Sequence, residues 1–261
     1  MKMVSAAKLK KAQDAITAMR PYSNKLTEIL QSLSSSIDSD NKYAQKRKVK
    51  KVLIVSITSN RGLCGGFNSN IFKKSTELAN SVYNDTDVSF VAIGKKGNDF
   101  LQKSYNVESN HIDIFDNLNM ESVSLIAESL MQMFVNEDFD KIDIVYNKFK
   151  NAATQVVVNE QFLPISDVED DSNNNLDYIF EPSKKEIIEE LIPKSLKNQL
   201  FKAIRDSWAS EHGARMTAMH KATDNATELR DQLKLAYNQA RQAAITNEIL
   251  EIVGGAEALN N

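Results

Sequence analysis

From Lys194 to Val253 the chain contains no proline and a single glycine, Gly213. Nothing in that stretch stops an α-helix, and at 1.5 Å per residue it would extend about 90 Å. An ordinary globular helix has only about 11–12 residues. Within the stretch Met219, Ala222, Ala226, Leu229, Leu233, Ala236, Ala240 and Ala243 step by three and four in alternation, which is the a/d seam of a heptad repeat. The expected element is a rod, and a rod with an apolar seam needs a partner.

The other end of the chain supplies one. Residues 1–37 hold no glycine and one proline, Pro21, and Ala12, Ala15, Met19, Tyr22, Leu26, Ile29 and Leu33 repeat the same spacing. Both seams are rich in alanine near their outer tips, so two backbones could approach more closely there than across leucine layers. The reading is an intramolecular antiparallel coiled coil. Two helices coating a globular helical domain would carry the same stripes, but no compact domain of this size is about 90 Å across.

The middle changes character. Lys51 to Thr58 and Val88 to Ile93 are apolar runs of strand length, each followed by a helical stretch, near Asn68–Tyr83 and Asn98–Ser104. Val107–Phe115 reads as an edge strand, Glu121–Val135 as a helix, and Ile142–Phe149 with Thr154–Pro164 as a hairpin about Asn151. Strands alternating with helices imply a mostly parallel sheet. Pro182-Ser183 reads as the start of a short helix and Pro193 as the start of the long one. The fold class expected is α/β: a long antiparallel coiled coil of N- and C-terminal helices with an inserted Rossmann-like α/β domain. The divisions are residues 1–40, 50–192 and 193–261.

Composition narrows the function. The chain has 261 residues, 42% hydrophobic and 26% charged, enough for a real core. No apolar run approaches bilayer length, no signal-peptide core follows Met1, and the lone cysteine, Cys64, excludes an intrachain disulfide. A reducing, cytosolic setting is expected. A net charge of −3 argues against nucleic acid as a partner, and the basic run Lys46 to Lys51 reads as a solvated face before a strand. The acidic, asparagine-rich segment Asp167–Asp177 lacks the glycine and terminal glutamate of a calcium loop and reads as an exposed loop.

Catalytic motifs are weak. Arg61-Gly62-Leu63-Cys64-Gly65-Gly66 stands between a strand and a helix, where phosphate loops sit, but its glycines match neither G-x-G-x-x-G nor a Gly-Lys-Ser/Thr ending. It reads better as a tight turn, and Gly94-Lys95-Lys96-Gly97 is too short for a Walker loop. His212 and His220 lack a metalloprotease pattern, so no catalytic, metal or cofactor site is expected. Trp208, Glu211, Arg215, Arg230, Arg241 and Gln242 are expected along the long surface of the rod. Its last turns, with Ile249, Leu250, Ile252 and Val253, stay apolar and must be buried in something else.

These residues also carry a family resemblance. Thr223-Asp224-Asn225-Ala226 and the run from Tyr237 through Ala243-Ala244-Ile245-Thr246-Asn247-Glu248-Ile249-Leu250-Glu251-Ile252-Val253 to Ala256 resemble the C-terminal motif of the gamma subunit of F-type ATP synthase. Ser210 to Met216, Met3 to Leu9, Arg20-Pro21-Tyr22 and Arg61 to Asn68 resemble the same family in the same order. The resemblance implies a non-catalytic central stalk. Its paired helices enter the alpha/beta catalytic hexamer, and its α/β domain stands on the membrane rotor ring of c subunits beside the epsilon subunit. It would be peripheral to the membrane through the complex, on the cytoplasmic face of a bacterial inner membrane. Its rotation would cycle each catalytic subunit through its nucleotide states.

Carried over by position, the resemblance implies that Arg215, Arg241, Gln242, Thr246 and Glu248 meet the catch and lever loops of the catalytic subunits. Ile249, Ile252, Val253 and Ala256 would line an apolar bearing, and Tyr178 and Glu181 would lie in the foot that contacts the rotor ring. Family members carry about twenty further residues of helix ahead of the motif that begins here at Met1. The stretch beyond about residue 240 is therefore expected to lack its coiled-coil partner.

Overall fold

Strand β1 (Lys51–Ile57) is buried at every position after Lys51, the pattern of a strand covered on both faces. Its side chains alternate between two cores. Leu53, Val55 and Ile57 enter one, and Val52 and Ile54 enter the other. In the computed structural model, which describes residues 1–33, 41–165 and 184–259, β1 is the centre of a five-stranded sheet ordered β3-β2-β1-β4-β5. The other strands are β2 (Asp87–Ile93), β3 (Asn106–His111), β4 (Lys141–Phe149) and β5 (Gln155–Leu163). β1, β2, β3 and β4 pair in parallel, and β5 returns antiparallel to β4. The sheet and the hairpin about Asn151 are as the sequence indicates. The expected long edge strand is shorter, because Asp113–Phe115 form a 3-10 turn instead.

Helices α2 (Phe67–Glu77) and α3 (Lys95–Leu101) follow β1 and β2. Ile71 and Leu101 enter the core on one face with Phe90 and Val145. A π-helical turn, Leu78–Val82, ends α2 and delivers Tyr83, whose hydroxyl donates to Oδ2 of the buried Asp143 at 2.5 Å. Helix α4 (Met120–Val135), capped by the Asn119 side chain accepting from the Ser122 amide, covers the opposite face. There Ile126, Leu130 and Phe134 meet Ile188, Ile192, Leu196 and Leu200 of the last helix. The basic run before β1 is partly engaged: Arg47 lies over the Phe134 ring and donates to its carbonyl.

Helix α1 spans Lys2–Leu33 and α5 spans Lys184–Leu259. The long helix thus begins before Pro193 rather than at it, and no separate short helix precedes it among the described residues. A proline inside a helix costs about 3 kcal/mol. Here burial of Ile188 and Ile192 on one side of it and Leu196 and Leu200 on the other offsets that cost.

The two helices pair antiparallel. The Asn198 amide donates to Ser23 Oγ at 3.1 Å, and Ala209 packs with Ala12 and Ile16. The seam of α1 is only in part the expected one: Ala12 and Leu26 are buried as expected, and Ile29 packs partly buried against the sheet core. Ser5, Leu9, Ala12, Ile16, Ser23 and Leu26 are buried, whereas Tyr22 is 58% exposed. Two positions shift by one residue, Ile16 taking the place of Ala15 and Ser23 that of Tyr22, and Ser23 supplies an acceptor for Asn198.

The chain divides into two compact units, Met1–Thr217 and Ala218–Asn261. The first contains the sheet and its cores. In the second, His220 to Ala256 are exposed almost without exception. Exposure of α5 thus begins about twenty residues earlier than residue 240. None of the described helices is long and apolar enough to cross a membrane.

Candidate functional site

In a sheet of this topology the chain leaves β1 in one direction and enters β4 on the other side, so a crevice opens beyond the carboxyl ends of β1 and β4. That is where α/β sheets ordinarily bind their ligands. Here the chain's own helix lies across the crevice and bonds to both of its walls. Ser210 of α5 donates to the Asn147 carbonyl on β4 at 2.9 Å, and Arg215 donates to the carbonyls of Arg61 at 2.9 Å and Gly62 at 3.2 Å, just past β1.

The glycine-containing turn is built for that contact. Leu63 and Gly65 have φ of 61° and 59°. Asn68 accepts from the Ser59 amide and donates to Ser59 Oγ and Cys64 Sγ. The turn presents carbonyls to a guanidinium, the opposite polarity from the amide cradle that holds a phosphate. Cys64 is buried, and burial pushes its thiol above the usual range, so it is a poor nucleophile. At Gly94, where φ is 106°, a Cβ would lie 2.4 Å from the Thr58 carbonyl oxygen, and the Gly97 amide donates to Thr58 Oγ1 at 2.8 Å. The Gly-Lys-Lys-Gly segment is a site of close packing.

Of the residues expected to contact partners, Arg215 is turned inward. It is 7% exposed and ion-paired to Glu211 at 2.6 Å. Glu211 is equally buried, so neither joins an exposed rod surface. Arg241, Gln242, Thr246, Glu248, Ile249, Ile252 and Val253 lie on the exposed part of α5. Tyr178, Glu181 and the acidic segment before them lie outside the described residues. Among the described residues no cluster of histidine, cysteine and carboxylate side chains could hold a metal ion.

His212 belongs to the same inward group, and periodicity did not single it out. Arg215 Nη1 donates to its Nδ1 at 3.2 Å, so the neutral ring carries its proton on Nε2, which has no partner among the described residues. Burial first, then Arg215 and Lys8, push its pKa down to about 4. The unfolded chain binds this proton below about pH 6.5 and the folded chain does not, so the stabilisation is complete above that value and is lost as pH falls toward 4. Between pH 7 and pH 5 this amounts to about 2 kcal/mol. Glu211 acts with the opposite sign, since burial raises its carboxyl. The His212 contribution is therefore read as the difference between the chain and its His212→Asn variant in urea unfolding. The expected result is a shallower loss of stability on acidification in the variant, and identical slopes would contradict it.

The second unit is a continuous stretch of helix with i to i+4 contacts along its own surface, such as His220 Nδ1 beside Asp224 Oδ2 at 3.5 Å. It leaves large apolar side chains open: Ile249 is 55% exposed, Leu250 62%, Ile252 66% and Val253 50%. At 100° per residue, Ile252, Ile245, Ile249, Val253 and Leu250 spread over about 160° of the helix. That is wider than a two-helix seam, so a single helical partner would leave part of it open. Arg241 and Glu248 share one face, seven residues apart, and Gln242 and Thr246 share another.

Comparison with known proteins agrees. The ATP synthase family model matches residues 1–259. The chain is 64% identical over 262 residues to the ATP synthase gamma chain of Christiangramia forsetii, covering 100% of this chain and 92% of that one. It is also 64% identical over 265 residues to that of Flavobacterium johnsoniae, with the same coverage. Among solved structures, the central stalk and c-ring of Tetrahymena thermophila mitochondrial ATP synthase contains a chain that matches with a TM-score of 0.65 at 25% identity. The match covers 85% of this chain and 97% of that one. A chain of the Euglena gracilis mitochondrial ATP synthase shares the fold, with a TM-score of 0.63 at 21% identity over 99% of this chain and 94% of that one. The chain belongs to the gamma chain family of ATP synthase.

Proposed function

We propose that this chain is the central rotor shaft of an F-type ATP synthase, coupling ion-driven rotation of a ring of c subunits to conformational cycling of the catalytic subunits. As a gamma chain it is a non-catalytic subunit. The observation that carries the reading is the exposed part of α5. Its apolar side chains cover too wide an arc for one helical partner, and a surface of that kind requires burial. A hexamer of alternating alpha and beta subunits closing around it would bury Ile249, Ile252 and Val253 at every angle.

A shaft can drive a cycle only if different angles present different contacts, because a partner's equilibrium shifts by differential interaction alone. Two polar pairs, Arg241 with Glu248 beside the apolar arc and Gln242 with Thr246 within its angular range, meet that requirement. Arg241 and Glu248 would offer a charged pair to one catalytic subunit while Gln242 and Thr246 offer neutral hydrogen-bonding groups to another. The α/β domain would stand on the c ring beside the epsilon subunit, with Tyr178 and Glu181 in the foot. The two gamma chains of 64% identity come from bacteria, which favours the cytoplasmic face of the inner membrane.

The test is rotation of a probe in a complex rebuilt with the alpha and beta subunits. Cys64 is buried and cannot carry the probe, so a cysteine at the exposed Lys73 of α2 would. ATP-driven turning of the probe is expected. Hydrolysis with a stationary probe would refute the shaft reading.

A further inference from the structure

Torque can pass between a helix and a sheet only if the helix cannot roll about its own axis. A helix lying on one apolar face can roll, since such contacts are non-directional. Directional contacts hold α5 at Asn198, Gln199 and Arg205, which donate to Ser23 and to the carbonyls of Gln161 and Leu118, and between Trp208 and Thr217 such contacts come from three sides. On one side Arg215 bridges the carbonyls of Arg61 and Gly62, and the Glu211 carboxylate holds its guanidinium from behind at 2.6 Å. On a second side, Ser210 Oγ reaches the Asn147 carbonyl and Thr217 Oγ1 the Ala152 carbonyl at 3.3 Å. There Gly213 lets the β4–β5 turn come so close that a Cβ would lie 3.0 Å from the Ala152 oxygen. On the third side Ala209 packs without exposure against Ala12 and Ile16 of α1.

With 100° per residue and Ala209 as origin, the Ser210–Gly213–Thr217 contacts centre at about 75° and the Arg215–Glu211 contacts at about 220°. No gap between the three exceeds about 145°. We propose that these contacts form a three-sided collar that fixes the rotational angle of α5 against the sheet, with Arg215 as its principal positioning residue. The collar rests on the shaft reading, for which it is the point where the turning domain grips the driven helix. Its parts are stiff. Ser59 Oγ donates to the same Arg61 carbonyl at 2.7 Å, and the Asn151 side chain accepts from the amides of Ala153 and Thr154 in the opposing turn. The guanidinium suits the role because it reaches two carbonyls with fixed geometry, which an ammonium cannot.

The experiment compares ion uptake per ATP hydrolysed in complete complexes on sealed vesicles carrying Arg215→Ala, Arg215→Lys, or Ser210→Ala with Thr217→Val. Unfolding midpoints of the isolated variants show that each folds. A helix that slips in its collar wastes turns, so uptake per ATP is expected to fall several-fold in Arg215→Ala and in the double variant, with Arg215→Lys between them and the unsubstituted complex. An unchanged ratio in both Arg215→Ala and the double variant would overturn the collar. A parallel fall of hydrolysis and uptake in Arg215→Ala would overturn it too, that being the pattern of a lost contact with the catalytic subunits. Failure of the shaft reading itself looks different: the unsubstituted complex would hydrolyse ATP with a stationary probe.

Discussion

Gly94→Ala is expected to destabilise the first unit by about 3–5 kcal/mol, a large share of the total stability of an ordinary domain. Two costs coincide at this residue. Its φ of 106° lies in a region where a side chain is strained, costing of order 1–3 kcal/mol. The added Cβ would also sit 2.4 Å from the Thr58 carbonyl oxygen and 2.9 Å from Thr58 Oγ1, which forces backbone apart and adds about 1–3 kcal/mol of overpacking. The end of β1 and the start of α3 would separate, and with them the turn whose carbonyls Arg215 holds. Gly62→Ala is the matched control, because a Cβ there meets nothing within 4 Å; it should change stability by no more than about 0.5 kcal/mol. Urea unfolding of the two variants checks the prediction. Coincident midpoints would show that the β1–α3 approach is less rigid than its geometry indicates.

The second large effect separates stability from function. Replacing Ile249, Ile252 and Val253 together by aspartate should leave the urea midpoint of the isolated chain within about 0.5 kcal/mol of its original value, since all three are at least half exposed. In the rebuilt complex the same variant should lose rotation and most hydrolysis. Burying each of these side chains contributes about 1.5–3 kcal/mol, and a carboxylate forced into an apolar bearing carries a desolvation cost as well. The expected loss in assembly affinity exceeds about a hundredfold, which corresponds to only about 2.8 kcal/mol. Normal hydrolysis with free rotation would place the bearing elsewhere on α5.

How far the primary structure could be read depends on the physics behind each element. The parallel strands were legible because β-branched runs such as Val52 to Ile57 bury both faces, and the hairpin because Asn151 sits between two such runs. The long helix was legible from the absence of breakers. Its start was not. Pro193 marks a helix start by local rule, and only the packing of Ile188 and Ile192 in the core carries α5 back to Lys184. Ser23 over Tyr22 in the α1 seam likewise depends on Asn198, which lies across the pair and 175 positions away.

The candidate site divides in the same way. The exposed residues from Arg241 to Val253 could be named from the C-terminal motif, because in an exposed helix the order of residues alone determines which groups share a face. Arg215 could not be placed. Its spacing puts it on the same helix, but its carbonyl partners follow a strand more than 150 positions earlier. Gly213 of the long helix is a similar case. The residue order shows it only as the single glycine between Lys194 and Val253, whereas the Ala152 backbone pressed against it gives the reason for its small size. The chain's own order thus determined most of its elements, its family and which exposed groups share a face of α5, since these arise from local periodicity and motif. Only the tertiary structure decided the heptad register, the helix start and the collar around α5, because each of these is set by a hydrogen-bonding or packing partner that folding alone brings near.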